Sequence, residues 1–276
     1  MYNERKVSIV ITSYNRGFLL DRAIKSVIEQ TYKNIEITVV DDHSTDQNTI
    51  DVLNHYSDKE LFPFINVIIL KSNMGANYCR NIGIENSSGY YYTGLDDDDY
   101  FSPDRINFLI NHYEEKYAFI CTNYFLLNGE EIKKRFLFSK KLNEDSLYKV
   151  NYAGNQVFTT IDKIKNVHGF DVKLKRLQDQ DMWIRLLQKY KIAKRFSETN
   201  YLMDVSHDFK RITKSINVFR SYFSLYKKHK FQMSHSSRNY SFLRLYYLRN
   251  NHIPVKYIFL SPILFFKIKI KGFLKK

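Results

Sequence analysis

Four short apolar runs, VSIVIT (7–12), IEITVV (35–40), NVIIL (66–70) and YYYTGL (90–95), are separated by segments whose apolar residues recur at helical spacing. Runs this short, rich in β-branched and aromatic residues, read as strands. FLLDRAIKSVIEQ follows the first run and sets Leu20, Ile24, Val27 and Ile28 on one helical face, and DQNTIDVLNHY and ANYCRNIGIEN repeat the pattern before the third and fourth. Strands alternating with helices imply βαβ units, hence an α/β fold with a mixed, mostly parallel sheet flanked by helices. On such a sheet, ligands sit beyond the carboxyl ends of the strands.

Three of those ends are polar. The first strand runs into TSYNR, the second into DDHSTD and the fourth into four consecutive aspartates, Asp96 to Asp99. Parallel strands point the same way, so the three loops are predicted to converge on one sheet edge. Neither a G-x-G-x-x-G turn nor a G-x-x-x-x-G-K-[ST] loop is present to cradle phosphate. A diphosphate held here would need another positive group, and clustered carboxylates suit Mn²⁺ or Mg²⁺. If the strand continues, Asp96 and Asp98 face one way, and Asp97 and Asp99 the other. The competing interpretation is a solvated acidic turn, with Asp41 or Asp42 capping the next helix.

Composition adds an asymmetry. Of the net charge of +14, residues 207–276 carry +15 and residues 1–206 carry −1, and fifteen Phe or Tyr share the basic tail. From residue 219 onward the tail is helical in pattern, and its apolar run Tyr257–Phe266 is too short to cross a bilayer alone. Cations interleaved with aromatics over 253–276 fit an anionic membrane surface, and no nucleic-acid motif accompanies them. The alternation around Asn128-Gly129 predicts a hairpin. Two cysteines without metal-ligand spacing and an N-terminus without a secretory h-region lead us to expect a cytoplasmic protein.

VSIVITSYNR, VVDDHSTD, NMGANYCRNIGI and LDDDDYFSPDRI, in that order, resemble the family 2 glycosyltransferases of the GT-A (Rossmann-like) fold. The resemblance covers about residues 5–205. It implies a nucleotide-sugar site with Thr12 and Tyr14 near the base, Asp42 at the uracil edge with Asp41 beside it, and Arg80 in the segment CRN. Asp96 and Asp98 fall on the D-x-D positions that meet ribose and metal, Asp98 being the direct ligand, with Asp97 between them and Asp99 as the following acid. In GFDVKLKRLQDQDMWIRLLQKY (169–190) the family's Glu-Asp pair is replaced by Gln178-Asp179. Asp179 remains as candidate general base, with Asp181 as the alternative. Some GT-A enzymes take a metal ligand from a late histidine, which makes His207 a further candidate; His168 is expected to be structural.

The resemblance therefore implies an inverting transferase that moves one sugar, of glucose or galactose type, from a UDP-sugar. The implied acceptor is an undecaprenyl-diphosphate-linked saccharide of O-antigen or a related surface glycan. The chain lacks the Q-x-x-R-W signature and long membrane helices of processive members, which favours a single addition. Expected organisation is a catalytic unit over 1–206, with a nucleotide-sugar half (1–105) and an acceptor half (106–206), and a tail over 207–276 on the inner face of the cell membrane. A sugar-nucleotide nucleotidyltransferase and a non-catalytic membrane scaffold are the alternatives.

Overall fold

The computed structural model describes residues 5–207, 217–262 and 265–266. The four predicted strands are present as β1 (Val7–Ser13), β2 (Ile35–Asp41), β3 (Ile65–Ile69) and β4 (Tyr91–Asp96). Between them lie α1 (Gly17–Ile28), α2 (Gln47–Tyr56) and α3 (Ala76–Glu85). The chain continues through β5 (Tyr100–Phe101), α4 (Arg105–His112), β6 (Ile120–Asn128), β7 (Glu131–Lys134), β8 (Lys140–Leu142) and α5 (Glu144–Lys149). β9 (Phe158–Thr160), α6 (Ile161–Lys165), α7 (Gln178–Tyr190) and β10 (Ala193–Asp204) complete the sheet and the helices that cover it. The mixed sheet runs β3-β2-β1-β4-β9-β6-β10-β5. β1 to β4 pair in parallel, β9 runs antiparallel to both β4 and β6, and β6 is parallel to β10.

Both faces of this sheet are covered. Every residue of β1 is buried; Ile9 and Ile11 pack with Leu20, Ile24 and Val27 of α1, while Val10 joins a second core on the opposite face. The second core holds Phe119 and, from α7, Met182, Trp183 and Leu186. The fully buried Trp183 donates its indole N–H to the Gly154 carbonyl at 3.1 Å, so no polar atom of that ring goes unsatisfied. The predicted hairpin is formed by β6 and β7, turning through Gly129 at φ +61.

The basic tail divides. Two helices, α8 (Val218–His229) and α9 (His235–Asn250), lie against the α/β body, with Leu225 and Met233 inside the second core. Beyond them Val255–Leu260 forms a 3₁₀ helix whose Phe259 is almost fully exposed. The lysine-rich stretch 267–276 lies outside the described residues. Among the described residues, no helix is long and apolar enough to cross a membrane. Cys79 and Cys121 are buried and unpaired with one another.

Candidate active site

Sheet register brings the polar loops together. Ser13 stands beside Asp41 on one side, and Thr12 beside Asp96 on the other. Beyond those strand ends opens a cavity of about 680 Å³, within the range of small-molecule sites. Thr12, Tyr14, Asp42, Arg80, all four aspartates of the run and Asp179 line it.

Asn15 ties the first two loops together. It adopts φ +52, its N–H donates to Ser44 Oγ at 2.8 Å, and its Oδ1 accepts the Thr45 N–H at 2.7 Å. Asp41 is buried behind this tie, accepting from the Ser44 hydroxyl and N–H, and is not on the cavity wall. Neither Asp41 nor Asp42 caps a helix. Asp46 caps α2 by accepting the Thr49 N–H at 3.0 Å. Asp42 instead accepts the N–H groups of Met74 and Gly75, the latter at φ +89, where only glycine is unstrained.

In the aspartate run the expected alternation of faces fails, because β4 ends at Asp96. The Asp99 N–H donates to the Asp96 carbonyl at 3.0 Å, closing a turn over Asp97 and Asp98. Asp99 therefore joins Asp96 and Asp98, with carboxylate oxygens of all three within 4.8 Å of one another. Asp97 leaves the group and pairs with Arg16 at 2.9 Å; the same guanidinium lies 3.2 Å from Asp98. His207 Nε2 is 3.1 Å from Asp98 Oδ2, while His168 is exposed at φ +62 and is not on the cavity wall.

Asp96 is held by three side chains: Arg80 at 3.0 Å, Gln156 at 2.9 Å and Asn155 at 2.7 Å. Tyr201 donates its phenol to Asp99 at 2.6 Å. Burial, with the charges of Asp98 and Asp96, pushes Asp97 up to about 7 against the pull of Arg16, and drives Asp99 well above the ordinary carboxylate range. Crowded carboxylates beside an imidazole fit an oxygen-preferring divalent cation, whose charge relieves their repulsion.

Asp179 occupies the first turn of α7 and lines the same cavity. Its Oδ1 is buried without a hydrogen-bond partner. Burial and Asp96 push this carboxyl up to about 7, while Arg80 pulls it down. Arg80 is buried; Asp96 and Asp179 hold it protonated despite the cost of burial. Asp181 faces elsewhere: fully buried off the cavity wall, it is ion-paired with Arg185, Lys228 and His229, which removes it as the alternative base.

Arg16, Asn155, Gln156 and Tyr201 were missed as site residues from the sequence. Arg16 stood in the quoted TSYNR stretch, but nothing there indicates that it reaches Asp97. The other three carry no motif and arrive from strands and loops 56 to 102 residues away from their partners.

Residues 8–170, more than half of the chain, match the family described as glycosyl transferase family 2. The chain belongs to that family. This glycosyl transferase is 34% identical to WcaA of Escherichia coli K12, a protein named for colanic acid biosynthesis, over 92% of this chain and 91% of the relative. It is 31% identical to E. coli WfaP, named as a UDP-Glc:alpha-D-GlcNAc-diphosphoundecaprenol beta-1,3-glucosyltransferase, over 78% of this chain and 86% of that one. Among solved structures, S. aureus TarS 1-349 in complex with UDP-GlcNAc superposes with a TM-score of 0.67 at 16% identity, covering 95% of this chain and 79% of that chain. That likeness concerns the fold, which in this glycosyl transferase is the GT-A arrangement. Family membership sets aside the nucleotidyltransferase alternative.

Proposed function

We propose that this transferase moves one hexosyl residue, of glucose or galactose type, from a UDP-sugar to an undecaprenyl-diphosphate-linked saccharide during O-antigen or related surface-glycan assembly, with inversion. The carrying observation is that one cavity holds both a carboxylate cluster and a buried, unpartnered oxygen of Asp179. WfaP, whose name specifies a UDP-glucose donor and a diphosphoundecaprenol acceptor, supports the choice of substrates.

In this reading Thr12, Tyr14 and Asp42 receive the nucleoside, and Arg80 and Asp97 shape the donor side. Asp98 and Asp96, with His207 beside them, would hold Mn²⁺ or Mg²⁺, which when bound supplies Lewis-acid stabilisation of the departing diphosphate. Asp179 takes the proton from the acceptor hydroxyl as its oxygen bonds to the anomeric carbon and the bond from that carbon to the diphosphate oxygen breaks. A single displacement needs no covalent enzyme intermediate. Residues 1–105 form the donor half and 106–206 the acceptor half, and residues 253–276 rest on the inner face of the cell membrane.

Incubation with UDP-glucose or UDP-galactose and an undecaprenyl-diphosphate-linked saccharide tests this. UDP release that depends on the acceptor, strongly reduced in Asp179→Asn, with a product of inverted anomeric configuration by NMR, is expected. UDP release without acceptor transfer, or full activity of Asp179→Asn, would refute it.

A further inference from the structure

The β6–β7 hairpin and the loop that follows it present apolar side chains outward from an anchored backbone. Ile132, Leu137 and Phe138 are 61%, 73% and 77% exposed, three large apolar residues within seven positions. Single exposed apolar residues are ordinary, but a cluster of them marks an interaction surface. Looseness does not explain the exposure. Between the exposed residues, Phe136 turns inward, its ring 3.7 Å from the Arg195 guanidinium, and its N–H donates to Asn123 Oδ1 at 3.1 Å. Arg195 also donates to the Phe138 carbonyl at 3.0 Å. The main chain is thus held from below while Leu137 and Phe138 are directed away from the core.

Charge indicates what covers them. Lys133, Lys134, Arg135, Lys140 and Lys141 flank these residues, against Glu130 and Glu131, the latter paired with Lys133. Protein interfaces deplete lysine at their centres. Cations surrounding protruding aliphatic and aromatic groups instead match an anionic bilayer surface.

Position adds the link to catalysis. Leu126 and Leu127 of β6 stand abreast of Met203 and Asp204 of β10. Met203 lines the cavity, and the Asp204 N–H donates to Asp99 at 3.1 Å. The hairpin therefore projects from the rim of the candidate active site. We infer that residues 128–141 are a lipid-docking element, distinct from the C-terminal tail, that inserts Leu137 and Phe138 at the headgroup boundary of an anionic membrane and turns the cavity mouth toward a lipid-linked acceptor. The acceptor part of this inference rests on the proposed function.

Trp183 is the only tryptophan of the chain and is fully buried, so Phe138→Trp in the full-length protein gives a local reporter. With vesicles of phosphatidylglycerol the emission of the introduced indole should shift to the blue and be quenched by brominated acyl chains, and with phosphatidylcholine alone it should not. The double substitution Leu137→Ser/Phe138→Ser should weaken co-sedimentation with phosphatidylglycerol vesicles about tenfold or more, while UDP binding by calorimetry stays unchanged. An unshifted emission from the Phe138→Trp variant, equal response to both lipids, or a double variant that alters self-association instead of vesicle binding would overturn the inference. If the unsubstituted protein failed to bind UDP, the donor reading would fall, and the vesicle measurements would still decide the hairpin.

Discussion

His229 Nε2 lies 2.8 Å from a carboxylate oxygen of Asp181, a residue 48 positions earlier in the chain. His229 ends α8, and Asp181 sits two residues beyond Asp179 on α7. Lys228 at 3.0 Å and Arg185 at 2.9 Å complete the cage. The basic C-terminal segment thereby grips the helix that carries the candidate base.

Removing one member of a buried ion cluster leaves its partners uncompensated, so Asp181→Asn is expected to lose about 3–5 kcal/mol of stability. Against burial, His229, Arg185 and Lys228 hold the Asp181 carboxyl down to about 2. A carboxyl lowered by folding contributes stability that is present at neutral pH and lost as pH falls from about 4 through about 2, roughly 2–3 kcal/mol. Across that window the melting temperature of the unsubstituted protein should drop more steeply than that of Asp181→Asn. Parallel curves would show that Asp181 is not the linked group.

Asp179 titrates in the opposite sense. With its carboxyl raised to about 7, the form able to accept a proton grows as pH rises through the neutral range. The kcat/KM of the transferase should therefore climb through about pH 7 and level off above it. Asp179→Asn should lower kcat by about 10²–10⁴-fold and leave UDP affinity essentially as it was. Steady-state kinetics over a pH range of about 5–9, with matched UDP titrations, would check both.

Arg80 opposes the rise at Asp179, so neutralising it should move the limb of that profile to higher pH. Arg80→Gln is expected to show this shift, and Arg80→Lys, which keeps the charge, to restore much of the original position. An unmoved limb in Arg80→Gln would mean that the guanidinium does not act on the base.

The parallel half of the sheet was legible because its strands are short β-branched runs punctuated by polar turns, and local pattern suffices where both faces are buried. Gly129 announced its hairpin for a similar reason: the turn needs a residue at positive φ. The aspartate run misled, since face alternation presumes a strand, and a single turn after Asp96 re-aims Asp99. Asn155, Gln156 and Tyr201 were invisible because only tertiary folding brings the loop before β9 and the strand β10 to Asp96 and the turn that follows it. In the tail, charge counting could not separate Lys228 and His229, which pair with the buried Asp181, from the cations that meet only solvent. Asp179 could be singled out by resemblance to the family, but its unpartnered oxygen and its charge coupling to Arg80 emerge only in three dimensions.

Calorimetric titration of UDP into the purified protein, with and without Mn²⁺ and alongside Asp98→Ala, tests most directly whether Asp96 and Asp98 form a cation clamp for a nucleoside diphosphate. Binding that requires the metal and is lost in Asp98→Ala is the expected result. Equal binding of UDP without metal and without the Asp98 carboxylate would contradict it.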